Sequence, residues 1–301
     1  MRLVIAGASG FIGSLLLEYL SKQEHALKLL TREPTRDSLA SKKNWIVWQP
    51  GAAGEWEKCV DGVDGIINLT GEPIAAKRWT ETQKEKIRSS RIETTRSLVK
   101  AIAKAQVKPK FLINASAVGF YGARGDENLS EDSAPGKGYL SGVCVAWEEE
   151  AKRAQELGVR VALLRTGIVL GKGRGALAKM VPPFKFFFGG PLGSGRQWMP
   201  WIHFEDEIGL ILFLTENEKA SGAFNATAPN PVTMKDFSKA LGNVLHRPSW
   251  APVPAFALAL MVGEIADMLI SGQRAVPDAA LRYGYRFKYP TIEQALRSLE
   301  L

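Results

Sequence analysis

"VIAGASGFIG", residues 4 to 13, decides how the rest of the chain is read. A β-branched apolar run, "RLVIAG", ends in glycine, and Gly7, Gly10 and Gly13 follow at intervals of three before an apolar pattern of helical period. Glycines at a strand-to-helix junction allow a tight turn and bring backbone close to a bound group. They also open a helix N-terminus whose free N–H groups face an anion. The spacing is G-x-x-G-x-x-G, which differs from the G-x-G-x-x-G of ordinary dinucleotide sites. Its place directly after an initial strand points to a pyrophosphate cradle, against the alternative of a merely structural turn.

Further along, "ALKLLT" (26 to 31), "NWIVWQ" (44 to 49), "DGIINLT" (64 to 70), "KFLINAS" (110 to 116) and "VRVALLRT" (159 to 166) read as strands. Helices are expected near 11 to 23, 80 to 106 and 140 to 157. Apolar strands alternating with helices predict an α/β chain with a Rossmann-type doubly wound parallel sheet. After Thr166 the texture changes. "MVPPFKFFFGGPLGSGRQWMPWIH" (180 to 203), rich in proline, glycine and aromatic residues, reads as a loop or lid beside a pocket. A last strand at 222 to 229 precedes helical stretches at 233 to 246, 255 to 271 and 277 to 283. The expected division is a nucleotide domain over 1–166, with 200–229 returning to it, and a smaller, mostly helical substrate-side region over 167–301.

Composition narrows the function classes. With 301 residues and 46% hydrophobic content the chain can bury a full core. Two cysteines and three histidines give neither a disulfide framework nor a metal site. The apolar stretch from Phe256 is interrupted by Glu264 and Asp267, so no membrane partner is expected; with no secretory signal, a cytoplasmic location is. The net charge of +8 is concentrated: residues 77 to 110 hold eleven Lys or Arg against three Glu. That stretch has only Trp79 as a stacking aromatic, which argues against a nucleic-acid partner.

The second strand ends in "LLTREPTR", with Thr31 and Arg32 at its tip and Arg36 nearby. An acidic residue there would suit a ribose hydroxyl, whereas a guanidinium fork suits a 2′-phosphate, so NADP is favoured over NAD. The other reading leaves Arg32 as a surface charge paired with Glu33.

"GASGFIG", "NLTGEPI", "NASAVGFYG", "GYLSGVCVAWE", "LLRTGIVLG" and "PWIHFEDEIG", in this order, resemble the extended short-chain dehydrogenase/reductase superfamily, also called the NAD-dependent epimerase/dehydratase superfamily. Within it the chain is similar to the divergent epimerase family proteins (SulA-like) that carry their own C-terminal domain. The resemblance spans essentially the whole chain. It implies that Gly7, Ser9, Gly10, Phe11 and Ile12 cradle the pyrophosphate and that Thr31 and Arg32 meet the adenosine phosphate. Leu69, Thr70 and Gly71 would pass beneath the cofactor, Arg91 would face it, and Ile168 would lie near the nicotinamide.

Catalysis in that superfamily uses a tyrosine with a lysine four residues on, together with a substrate-orienting serine or threonine. No tyrosine here has that lysine: the +4 residues are Gln23, Gly125, Val143, Phe287, Tyr289 and Glu293. Ser116 stands near the orienting position, with Ala117 as a competing match and an ordinary structural hydroxyl as the alternative. Tyr121, on the following turn, is the candidate proton carrier; Glu72, Lys179 and Arg196 are further candidates. His203 and Asp206 could form an acid/base pair; the competing expectation is that they anchor a strand to a helix, and Trp147 is expected to pack. The expected function is an NADP(H)-dependent oxidoreductase or epimerase acting on an unidentified small molecule, as a monomer or homodimer. The alternative is a catalytically silent NADPH sensor or regulatory protein.

Overall fold

The computed structural model describes residues 1–33 and 44–301; Arg36 falls outside them. Seven strands form the central sheet: β1 (Arg2–Ala6), β2 (Ala26–Thr31), β3 (Asn44–Val47), β4 (Gly65–Asn68), β5 (Phe111–Ala117), β6 (Arg160–Thr166) and β7 (Gly222–Ala226). They run β7-β6-β5-β4-β1-β2-β3, with every neighbouring pair parallel. The order reverses between β1 and β4, so a crevice opens at the carboxyl ends of these two strands.

A parallel sheet covered on both faces needs strands that are apolar throughout, and β1 shows why. Leu3 and Ile5 point into one core, shared with α1 (Phe11–Leu20) and α5 (Phe204–Glu216). Val4 and Ala6 point into the other, shared with α2 (Glu81–Lys104) and α3 (Tyr139–Lys152). The helix α2 starts where Thr80 accepts a hydrogen bond from the Gln83 amide at 3.2 Å, a Thr-x-x-Gln start.

The C-terminal region is helical, with α4 (Gly175–Lys185), α6 (Met234–Leu245), α7 (Ala255–Val262), α8 (Ile265–Ile270), α9 (Asp278–Arg282) and α10 (Ile292–Ser298). A third core holds it together through Leu177, Phe184, Trp201, Phe237, Leu241 and Leu296.

Two expectations change. The segment from Met180 begins inside α4, because buried Leu177 and Phe184 sit seven residues apart on one helix face and outweigh the proline signal. Pro182 and Pro183 lie inside the last turns of that helix and remove the amides that would bond to Ala178 and Lys179, so packing holds the helix against that loss. The single helix foreseen over 255 to 271 is two, separated at Gly263, whose φ of +64° stops α7.

Candidate functional site

At the crevice the β1–α1 loop is built on glycine. Gly7 has φ +86°, and a Cβ there would lie 2.7 Å from the carbonyl carbon and oxygen of Leu69. The loop therefore rests directly on the end of β4. A Cβ on Gly13 would come within 2.2 Å of the Gly7 oxygen, so the first turn of α1 is drawn equally close. Gly10 caps α1 in extended conformation and offers no side-chain cap, which leaves the first amides of the helix, from Phe11 onward, free for an anion. Ser9 is exposed beside them and Ile12 is half-buried. Phe11 has a second role: Cβ atoms at Gly171 and Gly175 would lie 2.6 Å and 3.1 Å from its ring, so it supports the loop that crosses above.

The floor beyond the loop is a polar network. Asn68 Nδ2 donates to Asn114 Oδ1 at 2.7 Å and to Thr95 Oγ1 at 3.0 Å, and Thr70 Oγ1 donates to Asn68 Oδ1 at 2.6 Å. The indole of Trp147 donates to Thr95 at 2.9 Å, so this tryptophan ties α3 to α2 as well as packing. Arg91 lies behind Gly71, where a Cβ would sit 3.1 Å from the guanidinium carbon. Its Nη1 donates to the carbonyls of Glu72 and Ile87, at 3.0 and 2.9 Å, and its guanidinium faces the Trp147 ring at 5.3 Å. Burial lowers its pKa. Among the described residues no carboxylate forms an ion pair with it. A half-buried cation whose hydrogen bonds go to carbonyls, with no carboxylate beside it among the described residues, fits an anionic ligand in front of it.

At the sheet's other edge Thr31 is buried, with its hydroxyl on the Glu33 carbonyl at 2.9 Å, while Arg32 is exposed. Among the described residues Arg32 forms no ion pair with Glu33. It borders a depression of about 410 Å³ that also includes Trp48, Gln49 and Trp56. Ile168 follows β6 and Gly167, its amide bonded to the Pro200 carbonyl at 2.6 Å.

The β5–β6 end is filled instead. Ser116 Oγ donates to Glu148 Oε1 at 2.7 Å, and Arg165 grips the same carboxylate through Nε and Nη2 at 2.8 and 2.9 Å. Arg165 Nη1 reaches the Tyr121 hydroxyl at 2.9 Å, and that hydroxyl donates to Asn225 Oδ1 at 2.7 Å. The amide of Asn225 is held by the carbonyls of Leu129 and Val276, which fixes its oxygen as the acceptor. Ser116 is 4% exposed, Glu148 1% and Tyr121 0%. Burial, opposed only in part by Arg165, pushes the Tyr121 phenol up to about 12. A group with no exposed surface and both hydrogen-bond directions taken is poorly placed to exchange a proton with a substrate.

Tyr139 opens α3, with Val143 one turn on and buried. Its hydroxyl donates to the Lys84 carbonyl at 2.6 Å, and burial raises its pKa. His203 caps α5 by accepting from the Glu205 amide at 3.2 Å, and burial lowers its pKa to about 4. Asp206 accepts from the amides of Lys288 and Tyr289, at 2.7 and 2.9 Å, which makes it an anchor for the C-terminal segment. Of the other candidates, Lys179 donates to the Ala75 carbonyl at 3.0 Å, Glu72 accepts from Gln83 at 3.4 Å, and Arg196 is exposed.

Glu148, Arg165 and Glu207 were not foreseen from the sequence. Glu207 is wholly buried, receives one hydrogen bond, from Thr166 Oγ1 at 2.8 Å, and has its pKa pushed up to about 8 by burial. The signal for Arg165 was available: an arginine inside "VALLRT" sits on a strand with no wet face and so demands a partner.

Residues 3–227 match the sequence model of the NAD dependent epimerase/dehydratase family. The chain belongs to that family. Residues 253–299 match a second model, a domain of unknown function (DUF1731). The epimerase family protein SDR39U1 homolog, chloroplastic, of Arabidopsis thaliana is 42% identical over 302 residues, covering 99% of this chain and 86% of the relative. Epimerase family protein YfhF of Bacillus subtilis is also 42% identical, covering 99% and 98%. The crystal structure of human epimerase family protein SDR39U1 with NADPH is similar over 100% of this chain and 99% of that one, with 31% identity and a TM-score of 0.88. Among the described residues of this family member, no helix is long and apolar enough to cross a membrane.

Proposed function

We propose that the chain is an NADP(H)-binding oxidoreductase or epimerase that acts on a small molecule by a proton route other than a Tyr/Lys dyad. The observation that carries this reading is the glycine cradle resting on Leu69 and Thr70, with the half-buried Arg91 beside Gly71. In this reading the backbone of Gly7, Ser9, Gly10, Phe11 and Ile12 holds the pyrophosphate. Thr31 and Arg32 take the adenosine phosphate next to the depression at Trp48. Leu69, Thr70 and Gly71 form the floor, Arg91 supplies charge, and Ile168 borders the nicotinamide. The bound cofactor would supply or accept hydride. The NADPH bound by the human relative of similar fold supports this choice of nucleotide.

Residues 1–166 and 200–229 form the nucleotide side in this proposal, and the rest of 167–301 forms the substrate side. Ser116 orients the substrate oxygen. Its proton is engaged by Glu148, so it offers lone pairs to a donor group rather than a proton to a carbonyl. Tyr121 holds Arg165 and Asn225 in place. A monomer or homodimer in the cytoplasm belongs to the same reading.

A specific observation favours the second reading, a catalytically silent NADPH sensor: the β5–β6 end is occupied by a satisfied ion-pair network. One experiment separates the two. The nicotinamide absorbance of protein-bound NADPH is followed as fractionated cell metabolites are added, with wild type and Ser116→Ala in parallel. Loss of absorbance in one fraction, slowed by the substitution, supports the enzyme. Stable NADPH across every fraction leaves the sensor.

A further inference from the structure

Arg91 has carbonyls to hold and Arg165 a carboxylate, but half-buried Arg274 has neither. It opens the short strand Arg274–Ala275, which pairs with Asn128–Leu129 in the loop that follows Tyr121. Its guanidinium lies over the Trp198 ring at 4.4 Å. Its Nε is buried without an acceptor, and among the described residues no carboxylate or carbonyl bonds to the group. Taking a cation out of water without giving it an acceptor costs stability, so stability alone does not explain the arrangement.

The surroundings fix Arg274 in place and leave it unsatisfied. A Cβ at Gly272 would overlap the Trp198 carbonyl, so the two segments touch through backbone. Gln273 Nε2 donates to the Gly122 carbonyl at 2.9 Å. Thr227 Oγ1 donates to the Ala275 carbonyl at 3.2 Å, and Asn225 Nδ2 to the Val276 carbonyl at 2.9 Å. Asn225 also takes the Tyr121 hydroxyl, so the strand is fastened to the filled end of the crevice. Asp126, the carboxylate that meets this stack, accepts from the Trp198 indole at 2.8 Å and so holds the ring rather than the arginine.

A guanidinium covered on one face by an aromatic ring keeps its edge for a ligand. That edge, Nε–H beside an Nη–H, is a two-donor fork matched to two oxygens of a phosphate or a carboxylate. We propose that Arg274, backed by Trp198, binds an oxyanion of the small molecule on which the chain acts, so that the substrate is a phosphorylated or carboxylated compound. This assignment rests on the reading of the chain as acting on a small molecule beside NADP(H).

The test follows the proton–nitrogen NMR signal of the Arg274 Nε–H group, assigned by its loss in Arg274→Lys. The full chain is saturated with NADPH, so that the glycine cradle is occupied, and titrated with methyl phosphate, with acetate, and with chloride at matched ionic strength. A saturable shift with methyl phosphate or acetate, and none with chloride, is expected; the tighter of the two identifies the oxyanion. Trp198→Leu should weaken that binding about fivefold. Arg274→Met should melt at or above the wild-type temperature, because it removes an unpaired cation. In the metabolite-fraction assay the active fraction should be retained by an anion exchanger, and Arg274→Met should raise KM at least about tenfold with kcat little changed. No shift with either anion, or an equal shift with chloride, overturns the proposal. An active neutral substrate indifferent to Arg274→Met overturns it and leaves the enzyme reading standing. Saturable anion binding with no fraction oxidising NADPH supports the anion site and overturns the enzyme reading instead.

Discussion

The two ends of the crevice solve opposite problems. At β1 and β4 the chain removes side chains: Gly7, Gly10, Gly13 and Gly71 allow close approaches and leave the first amides of α1 without a side-chain cap, where an anion is proposed to bind. At β5 and β6 it adds them: Ser116, Glu148, Arg165, Tyr121 and Asn225 satisfy one another out of contact with water. A glycine cradle is shaped for a ligand, whereas the closed network leaves a ligand little more than the lone pairs of Ser116. Nucleotide binding and fold stability are therefore expected to respond separately to substitution at the two ends.

The largest effect is expected at the open end. Gly10→Val places a side chain in the cradle, and its Cβ would lie 3.3 Å from the Gly7 oxygen, tight but tolerable. NADPH affinity measured by calorimetry should fall by at least about a hundredfold, close to 3 kcal/mol, while the melting temperature stays near wild type. An equal loss of both would merge the two ends. Next comes Arg165→Met, which strands a buried carboxylate on Glu148. Denaturant unfolding should show a loss of about 3–5 kcal/mol, with NADPH affinity changed only a few-fold, and Glu148→Gln in the same chain should recover part of that loss.

Stability should also depend on pH, through two buried groups of opposite sign. Glu207 has its folded pKa raised to about 8, so the stability it leaves intact below about pH 4.5 is lost as pH rises toward 8. Glu207→Gln should therefore gain on the order of 3 kcal/mol near pH 8 and little near pH 4.5. His203 is lowered to about 4, so its contribution is complete above about pH 6.5 and is lost as pH falls toward 4. Melting temperatures of the two proteins across pH 4.5 to 8 check both signs. The smallest effect belongs to Ser116→Ala, about 1 kcal/mol of stability with NADPH affinity unchanged, because Arg165 still holds Glu148.

Much of this was legible in the sequence because it is local. "VIAGASGFIG" announces the strand, the turn and the helix within ten residues, and the alternation of apolar strands with helices announces the parallel sheet. The missing dyad was equally plain, since the +4 residue from each tyrosine can be read directly. The filled end was not, because its members come from β5, α3, β6 and β7 and meet only after the sheet forms. Tyr121 looked accessible from its turn sequence, "VGFYG", yet Arg165 and Asn225, distant in the chain, take up its hydroxyl. Helix α4 was hidden by Pro182 and Pro183, although the spacing of Leu177 and Phe184 carried the signal.

The proposed selection of NADP(H) by Arg32 at the open end is tested by titrating wild type and Arg32→Ala with NADPH and with NADH. The prediction is that wild type prefers NADPH by at least about tenfold, about 1.4 kcal/mol, and that Arg32→Ala loses this preference by weakening NADPH alone. Equal affinity of the wild type for both nucleotides, or a preference that survives in Arg32→Ala, would contradict it.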